Sequence, residues 1–410
     1  MRTSSIRRSR VRVTASAALG MLLVGIASVP AQAESVRAQQ WQLNAFGAEK
    51  IWQLSKGEGV TVAVIDSGVD KNNPDLRDQV LKGKDFATDR SGDEFTDYDG
   101  HGTNMAGLIA GTGERDGGKG AFGLAPGAKI LPVRMPGGVG SGKSQAVSDA
   151  ELNRIMPEAI RFAADSGAKV INISMAVPTS SPKLTDAVKY ALDKGSLIFA
   201  GVGNDAEKGN KPMYPAATPG VVGVGAVDDK LTHIPMSQSG PQVDLAAPGK
   251  DTVAACGEGT GICKSSGTSN ATALASSAAA LVWSKHPDWT NNQVLKVMLD
   301  TAAKPSGGEK HSAYIGYGVI RPLRTLKTPG DPGPADVRPI DDLEETITAA
   351  PSASVSATPG PADSSAAPAP PPVASSDDGG NTTLWIGLGI GAAVLLGAAI
   401  AVPVLRSRRG

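Results

Sequence analysis

Cysteine and histidine are scarce in this chain, and it carries no net charge. Two cysteines and four histidines occur among 410 residues, and Lys plus Arg balance Asp plus Glu at 40 each. Two thiols alone do not make a metal site. A neutral chain without a basic stripe is not organised to hold nucleic acid, so no nucleic-acid partner is expected. With only His101, His233, His286 and His311 present, the search for an imidazole base is short.

What the chain does contain is most distinctive at its two ends. Arg2, Arg7, Arg8, Arg10 and Arg12 precede an apolar run from Val13 to Val29, and Ala31-Gln32-Ala33 follows as a small-x-small cleavage pattern. Residues 1–33 therefore read as a secretory signal peptide, or alternatively as an uncleaved anchor. The Arg7–Arg8 pair lacks the surroundings of a twin-arginine signal. At the other end, Leu384 to Leu405 is free of charge and long enough to span a ~30 Å hydrocarbon core. Arg406, Arg408 and Arg409 follow, so 384–405 reads as a transmembrane helix and 406–410 as a cytoplasmic basic tail. The expected location is the cell membrane, single-pass, with everything before the helix outside and lipid as a partner of the helix.

Between the ends the composition changes once. Residues 34–327 are mixed and patterned, whereas 328–380 are dominated by Pro, Ala and Ser and read as a disordered linker. Such a linker spans roughly 40 Å as a coil and up to ~160 Å as extended polyproline. In an exported chain the close pair Cys256 and Cys263 reads as a disulfide, with two free thiols as the alternative.

Within 60–327, apolar runs alternate with helical stretches. Residues 60–65, 129–133, 169–173, 196–200 and 221–226 read as buried strands. Residues 149–166, 182–194, 269–285 and 291–303 read as helices. Continuous apolar strands alternating with helices predict an α/β fold with a mostly parallel sheet covered on both faces. Sites in such sheets collect at the carboxyl ends of the strands.

Four motifs fall there. Val62-Ala63-Val64-Ile65-Asp66-Ser67-Gly68 ends a buried strand on a carboxylate, which either caps the next turn or meets a polar partner. Asp99-Gly100-His101-Gly102-Thr103 frames the one histidine that glycines leave open to close approach; a plain surface histidine is the alternative. Val202-Gly203-Asn204 follows a strand, and its amide serves a turn or faces a developing oxyanion. Gly267-Thr268-Ser269-Asn270-Ala271-Thr272-Ala273 places Ser269 at a helix start, as nucleophile or as N-cap.

Taken together and in this order, Asp66, His101, Asn204 and Ser269 resemble the subtilisin-like serine proteases over about residues 41–326. The Asp–His–Ser order is itself the one the family is known by. The resemblance implies the subtilisin-like three-layer α/β fold and an acyl-transfer mechanism on protein or peptide substrates. It implies Asp66, His101 and Ser269 as the catalytic set, with Asn204 and the Ser269 N–H as the oxyanion hole. Ser174-Met175-Ala176 and Gly201-Val202-Gly203 are similar to the family's substrate-binding segments. The short extension 34–59, expected to pack through Trp41 and Trp52, resembles that of the mycosins. So do the cysteine pair, the linker and the single C-terminal helix. The mycosins are the membrane-anchored branch associated with type VII secretion, which implies a membrane secretion complex as partner. A structural component with cleavage secondary or absent is the competing reading.

Several departures stand out. Met175-Ala176 replaces the family's frequent Leu-Gly, Ala273 replaces a proline, and Asn104 replaces a histidine. Asp75 matches one ligand position of the family's tight calcium site, but residues 112–122 do not resemble its calcium loop. No metal and no cofactor are expected, with a structural calcium ion as the alternative.

Overall fold

The computed structural model describes residues 35–137, 142–257 and 261–343. The stretches expected to be a signal peptide (1–33), a transmembrane helix (384–405) and a basic tail (406–410) lie outside the described residues. Among those described, no helix is long and apolar enough to cross a membrane.

Strands β1 (Thr61–Asp66), β2 (Lys84–Asp85), β3 (Lys129–Arg134), β4 (Val170–Ile173), β5 (Leu197–Gly201), β6 (Val222–Val227) and β7 (Leu245–Pro248) form one sheet. Its order is β2-β3-β1-β4-β5-β6-β7, and every pairing is parallel. Alternation along each strand sends neighbouring residues to opposite faces. Val62 and Val64 of β1 thus enter one core, while Ala63 and Ile65 enter the other. Phe199 and Ile198 of β5 divide in the same way. That double burial explains why the strands read as unbroken apolar runs.

The helices longer than four residues are α1 (Trp41–Phe46), α2 (Ala48–Trp52), α3 (His101–Ala110), α4 (Gln145–Asp165), α5 (Pro182–Asp193), α6 (Thr268–Lys285), α7 (Asn291–Thr301) and α8 (Pro322–Lys327). Helices α4 and α5 cover one face, and α3, α6 and α7 pack in the core on the other. Local chemistry starts them. Ser181 caps α5 by accepting from the Leu184 N–H ahead of Pro182, and Thr290 with Gln293 forms a capping box on α7. The Ala- and Ser-rich α6 is buried along nearly its whole length, so its small side chains let sheet and neighbouring helices approach closely.

Two short strands, β8 (Thr252–Ala255) and β9 (Ile262–Ser265), pair antiparallel as a hairpin beside α3. Cys256 and Cys263 are joined across it by a disulfide. The N-terminal segment is bound to this hairpin. Gln40 and Gln42 both donate to the Val253 carbonyl, at 3.0 and 2.7 Å, and Trp41 Nε1 donates to the Lys250 carbonyl at 3.0 Å. Trp52 Nε1 donates to the Leu124 carbonyl at 3.0 Å.

The packed chain also runs past Lys327. Residues 328–343, assigned by composition to the linker, dock on the domain. Ile340 is buried, Asp342 accepts from the Gly220 N–H at 2.8 Å, and Arg338 pairs with Asp342 at 2.6 Å. The reason is local: this part of the stretch still carries Val337, Arg338, Ile340 and Leu343, and its prolines lower the entropy cost of fixing it.

Candidate active site

At the carboxyl edge of the sheet, β1 delivers Asp66, β4 ends before Ser174, and β5 ends before Asn204. Helix α3 begins at His101 because Gly100 adopts the left-handed conformation, φ 73°, and turns the chain into the first helical residue. Gly102 then lies so close to the β1 turn that a Cβ there would sit 2.0 Å from the Gly68 carbonyl oxygen. That approach brings the imidazole onto the carboxylate: His101 Nδ1 is 2.7 Å from Asp66 Oδ1.

Asp66 is 1% exposed. Its Oδ1 also accepts from the Ser67 N–H at 2.8 Å and lies 3.2 Å from the Ser67 hydroxyl oxygen, whose single proton goes to Asp97 at 2.8 Å, while Oδ2 is buried without a partner. Burial works against charging the His101 ring, but the adjacent Asp66 charge, the hydrogen bond to it and the charges of Asp99 and Asp97 outweigh burial. Together they push its pKa up to about 9. The imidazole still keeps 39% of its side-chain surface exposed, so it is open to a reactant.

Behind this pair stands a carboxylate that sequence reasoning passed over. Asp97 Oδ1 accepts from the Ser67 hydroxyl and the Gly100 N–H, and Oδ2 from the Thr103 N–H and hydroxyl, at 2.6 to 3.0 Å. It therefore ties the β1 turn to the first turn of α3. Burial raises its pKa, and the hydrogen bonds from the Thr103 hydroxyl, the Thr103 N–H and the Ser67 hydroxyl resist that rise, with the charge of Asp66 adding to it. The available signal was a polar residue placed one helical turn before the histidine.

Ser269 is the second residue of α6, where backbone N–H groups have no partner within the helix. It is almost fully buried, and its hydroxyl donates to the Ser174 carbonyl at a long 3.5 Å. Asn204 Oδ1 accepts from the Thr268 N–H at 2.9 Å. This bond fixes the amide's orientation and leaves Nδ2 as the outward donor beside Gly267. A cavity of about 560 Å³ opens here, lined by Ser174, Met175, Ala176, Gly201, Gly203, Asn204, Thr268 and Ser269, among others. Val202 is different: its side chain is fully buried in the core, and only its neighbours line the cavity.

Asp75 does not offer a calcium ligand set. Its Oδ1 accepts from the Arg115 N–H at 2.9 Å, and its Oδ2 from Arg115 Nε at 3.1 Å and the Ala121 N–H at 3.3 Å. A guanidinium stands where a cation would be needed. Among the described residues no group of three or more His, Cys, Asp or Glu is arranged to hold a metal ion.

Known proteins share this fold. The sequence profile of the subtilase family, peptidase S8, matches residues 57–318. A thermophilic serine proteinase of Bacillus sp. (strain AK1) is 37% identical over 270 residues, which cover 66% of this chain and 62% of that protein. The chain thus spans less than two thirds of that relative's length. Among solved structures, the MycP3 protease from the type VII (ESX-3) secretion system superposes with a TM-score of 0.61. It is 32% identical, over 72% of this chain and 90% of that one. The periplasmic assembly from the ESX-5 inner membrane complex contains a chain that is 27% identical, with a TM-score of 0.63 over 78% of this chain and 90% of that one. On its profile match and on this fold, the chain belongs to the subtilase family.

Proposed function

We propose that this chain is a membrane-anchored serine endopeptidase whose domain lies outside the cell and acts on restricted protein or peptide substrates linked to type VII secretion. The observation that carries the reading is the 2.7 Å contact of His101 with buried Asp66, at the sheet edge that also presents Ser269 and Asn204.

Ser269 Oγ attacks the scissile carbonyl carbon while His101 Nε2 takes its proton. Asp66 holds Nδ1–H, fixes the tautomer and stabilises the imidazolium. The Asn204 amide and the Ser269 N–H receive the oxyanion. The tetrahedral intermediate collapses as His101 returns the proton to the leaving amine, giving an acyl-Ser269 ester. Water, deprotonated by His101, then releases the acid and restores the hydroxyl. Segments 174–176 and 201–203 line the site that receives the substrate chain. All proton transfers use side chains, so no cofactor is called for. The saturated carboxylate of Asp75 leaves no structural calcium to propose there. Anchoring rests on the charge-free stretch 384–405, and the secretion partner on likeness to MycP3 and to the ESX-5 assembly.

The test is covalent labelling of the purified full chain with a fluorophosphonate, followed by mass spectrometry. An adduct on Ser269 that disappears in His101→Ala supports the reading; a folded chain that stays unlabelled refutes it. The ESX-5 likeness favours a second reading, a structural component of a secretion complex. Secretion that survives Ser269→Ala but fails on deletion of the chain would select it.

A further inference from the structure

Two asparagines stand one step from the reacting groups. Asn104 lies one turn along α3 from His101, and Asn270 directly follows Ser269 in α6. They are 5% and 2% exposed. Asparagine is a poor residue for a helix interior, and a buried amide is costly unless its groups are bonded. Both are bonded, and to the same atom. The Ser265 hydroxyl donates to Asn104 Oδ1 at 2.9 Å and accepts from Asn270 Nδ2 at 2.8 Å. A hydroxyl has one proton to give, so the direction of each bond is settled. The outer ends are tied as well: Asn270 Nδ2 reaches Thr252 Oγ1 at 2.6 Å, and Asn104 Nδ2 reaches the Ala255 carbonyl at 3.2 Å.

We propose that Asn104, Ser265 and Asn270 are positioning residues that form one relay, setting the spacing between the helix that carries His101 and the helix that carries Ser269. The inference rests on the serine-protease reading above and goes beyond it. Ser265 and Thr252 are paired across the hairpin β8–β9, which the disulfide closes and which Gln40 and Gln42 hold at Val253. The relay is therefore mounted on a rigid part rather than on a loop. Its importance follows from the weak hold on the nucleophile itself: among the described residues the Ser269 hydroxyl has only the 3.5 Å hydrogen bond to Ser174. The placement of the two helices must then supply the alignment that proton transfer needs.

The test compares Ser265→Thr with Ser265→Val in the full chain, two side chains of equal shape of which only threonine keeps the hydroxyl. Readouts are the rate constant of fluorophosphonate labelling at Ser269 and the kcat and KM of peptide hydrolysis. A misplacement of about 1 Å costs up to about 100-fold, so the valine variant is expected to lose about 10- to 100-fold in labelling and kcat with little change in KM. The threonine variant is expected to retain most of the native rate. Equal rates for the two variants would overturn the proposal, as would a fall in KM-dependent binding alone. A second measurement does not need activity: the unfolding free energies of Asn104→Ala, Asn270→Ala and the double variant. Non-additive losses support a shared relay, and strict additivity overturns it. A native chain that does not label at all refutes the hydrolase reading and the positioning role with it, while the unfolding cycle still decides whether the helices are linked.

Discussion

Asp66 and Asp75 are both buried carboxylates, 1% and 0% exposed, yet they are partnered in opposite ways. Asp75 faces Arg115, whose charge does not change with pH, and hydrogen bonds reach both of its oxygens. Asp66 faces an imidazole, whose charge does change, and one of its oxygens is left bare. A saturated buried carboxylate costs little to keep and does one thing, which is to hold segments together. Asp75 ties its own segment to the Arg115 N–H and to the Ala121 N–H, next to the bridge between Thr112 and Phe122. An under-satisfied one gains most when the opposite group becomes charged. That surplus is what a reaction creating an imidazolium can use. The difference separates a structural ion pair from a candidate catalytic one without reference to any relative.

The sharpest way to break the comparison is to neutralise Asp66. Asp66→Asn keeps the shape but removes the charge and presents a donor to His101, so kcat is expected to fall about 10⁴-fold, as wrong-tautomer variants of such triads do. Thermal stability should change far less. In the unaltered chain the free-enzyme base is mostly protonated at neutral pH, because its pKa is pushed up to about 9. The acid limb of kcat/KM against pH should accordingly lie well above the ordinary histidine value of 6.5 and approach 9. A limb at or below 6.5 would show that Asp66 does not govern His101.

Arg115→Met does the reverse experiment on the other carboxylate. Removing the cation strands a fully buried charge, and breaking such a pair costs about 3–5 kcal/mol. Chemical denaturation should show that loss, whereas turnover per folded molecule should stay within about twofold because Arg115 is outside the cavity lining. A collapse of kcat with stability unchanged would mean that the two regions are not separate.

The contrast also marks how far the sequence could be read. The parallel strands were legible because both faces are buried, which leaves runs such as Val62–Ile65 unbroken. Strand β7, Leu245–Pro248, was missed because four residues ending in proline carry no period. The hairpin β8–β9 was missed because its strands are short and its outer one is only partly buried. The start of helix α3 at His101 was hidden, since Gly100 and Gly102 look like breakers until the close approach to Gly68 is seen. Asp66, His101, Asn204 and Ser269 were legible as motifs. Asp97, Arg115, Ser265 and Asn270 were not, because each acts through a partner distant in sequence, and single-chain patterns do not encode such pairings.

The smallest expected effect concerns stability rather than rate, and it tests the Asp66–His101 contact in the resting protein. A histidine whose folded pKa is raised binds its proton more tightly in the folded state than in the unfolded chain. Its contribution is then fully present below the unfolded value of about 6.5 and is lost progressively as pH rises through the folded value of about 9. The ring is more than a third exposed, so solvent screens the pair and the increment should be small. It should appear as a modest fall in Tm between pH 6.5 and 9 that is absent in Asp66→Asn. Arg115→Met should lower Tm at every pH in that window and leave the slope as it was, because a guanidinium does not titrate there. If Arg115→Met flattened the slope instead, the pH-dependent increment would not belong to the Asp66–His101 contact, and the division between the two regions would be drawn in the wrong place.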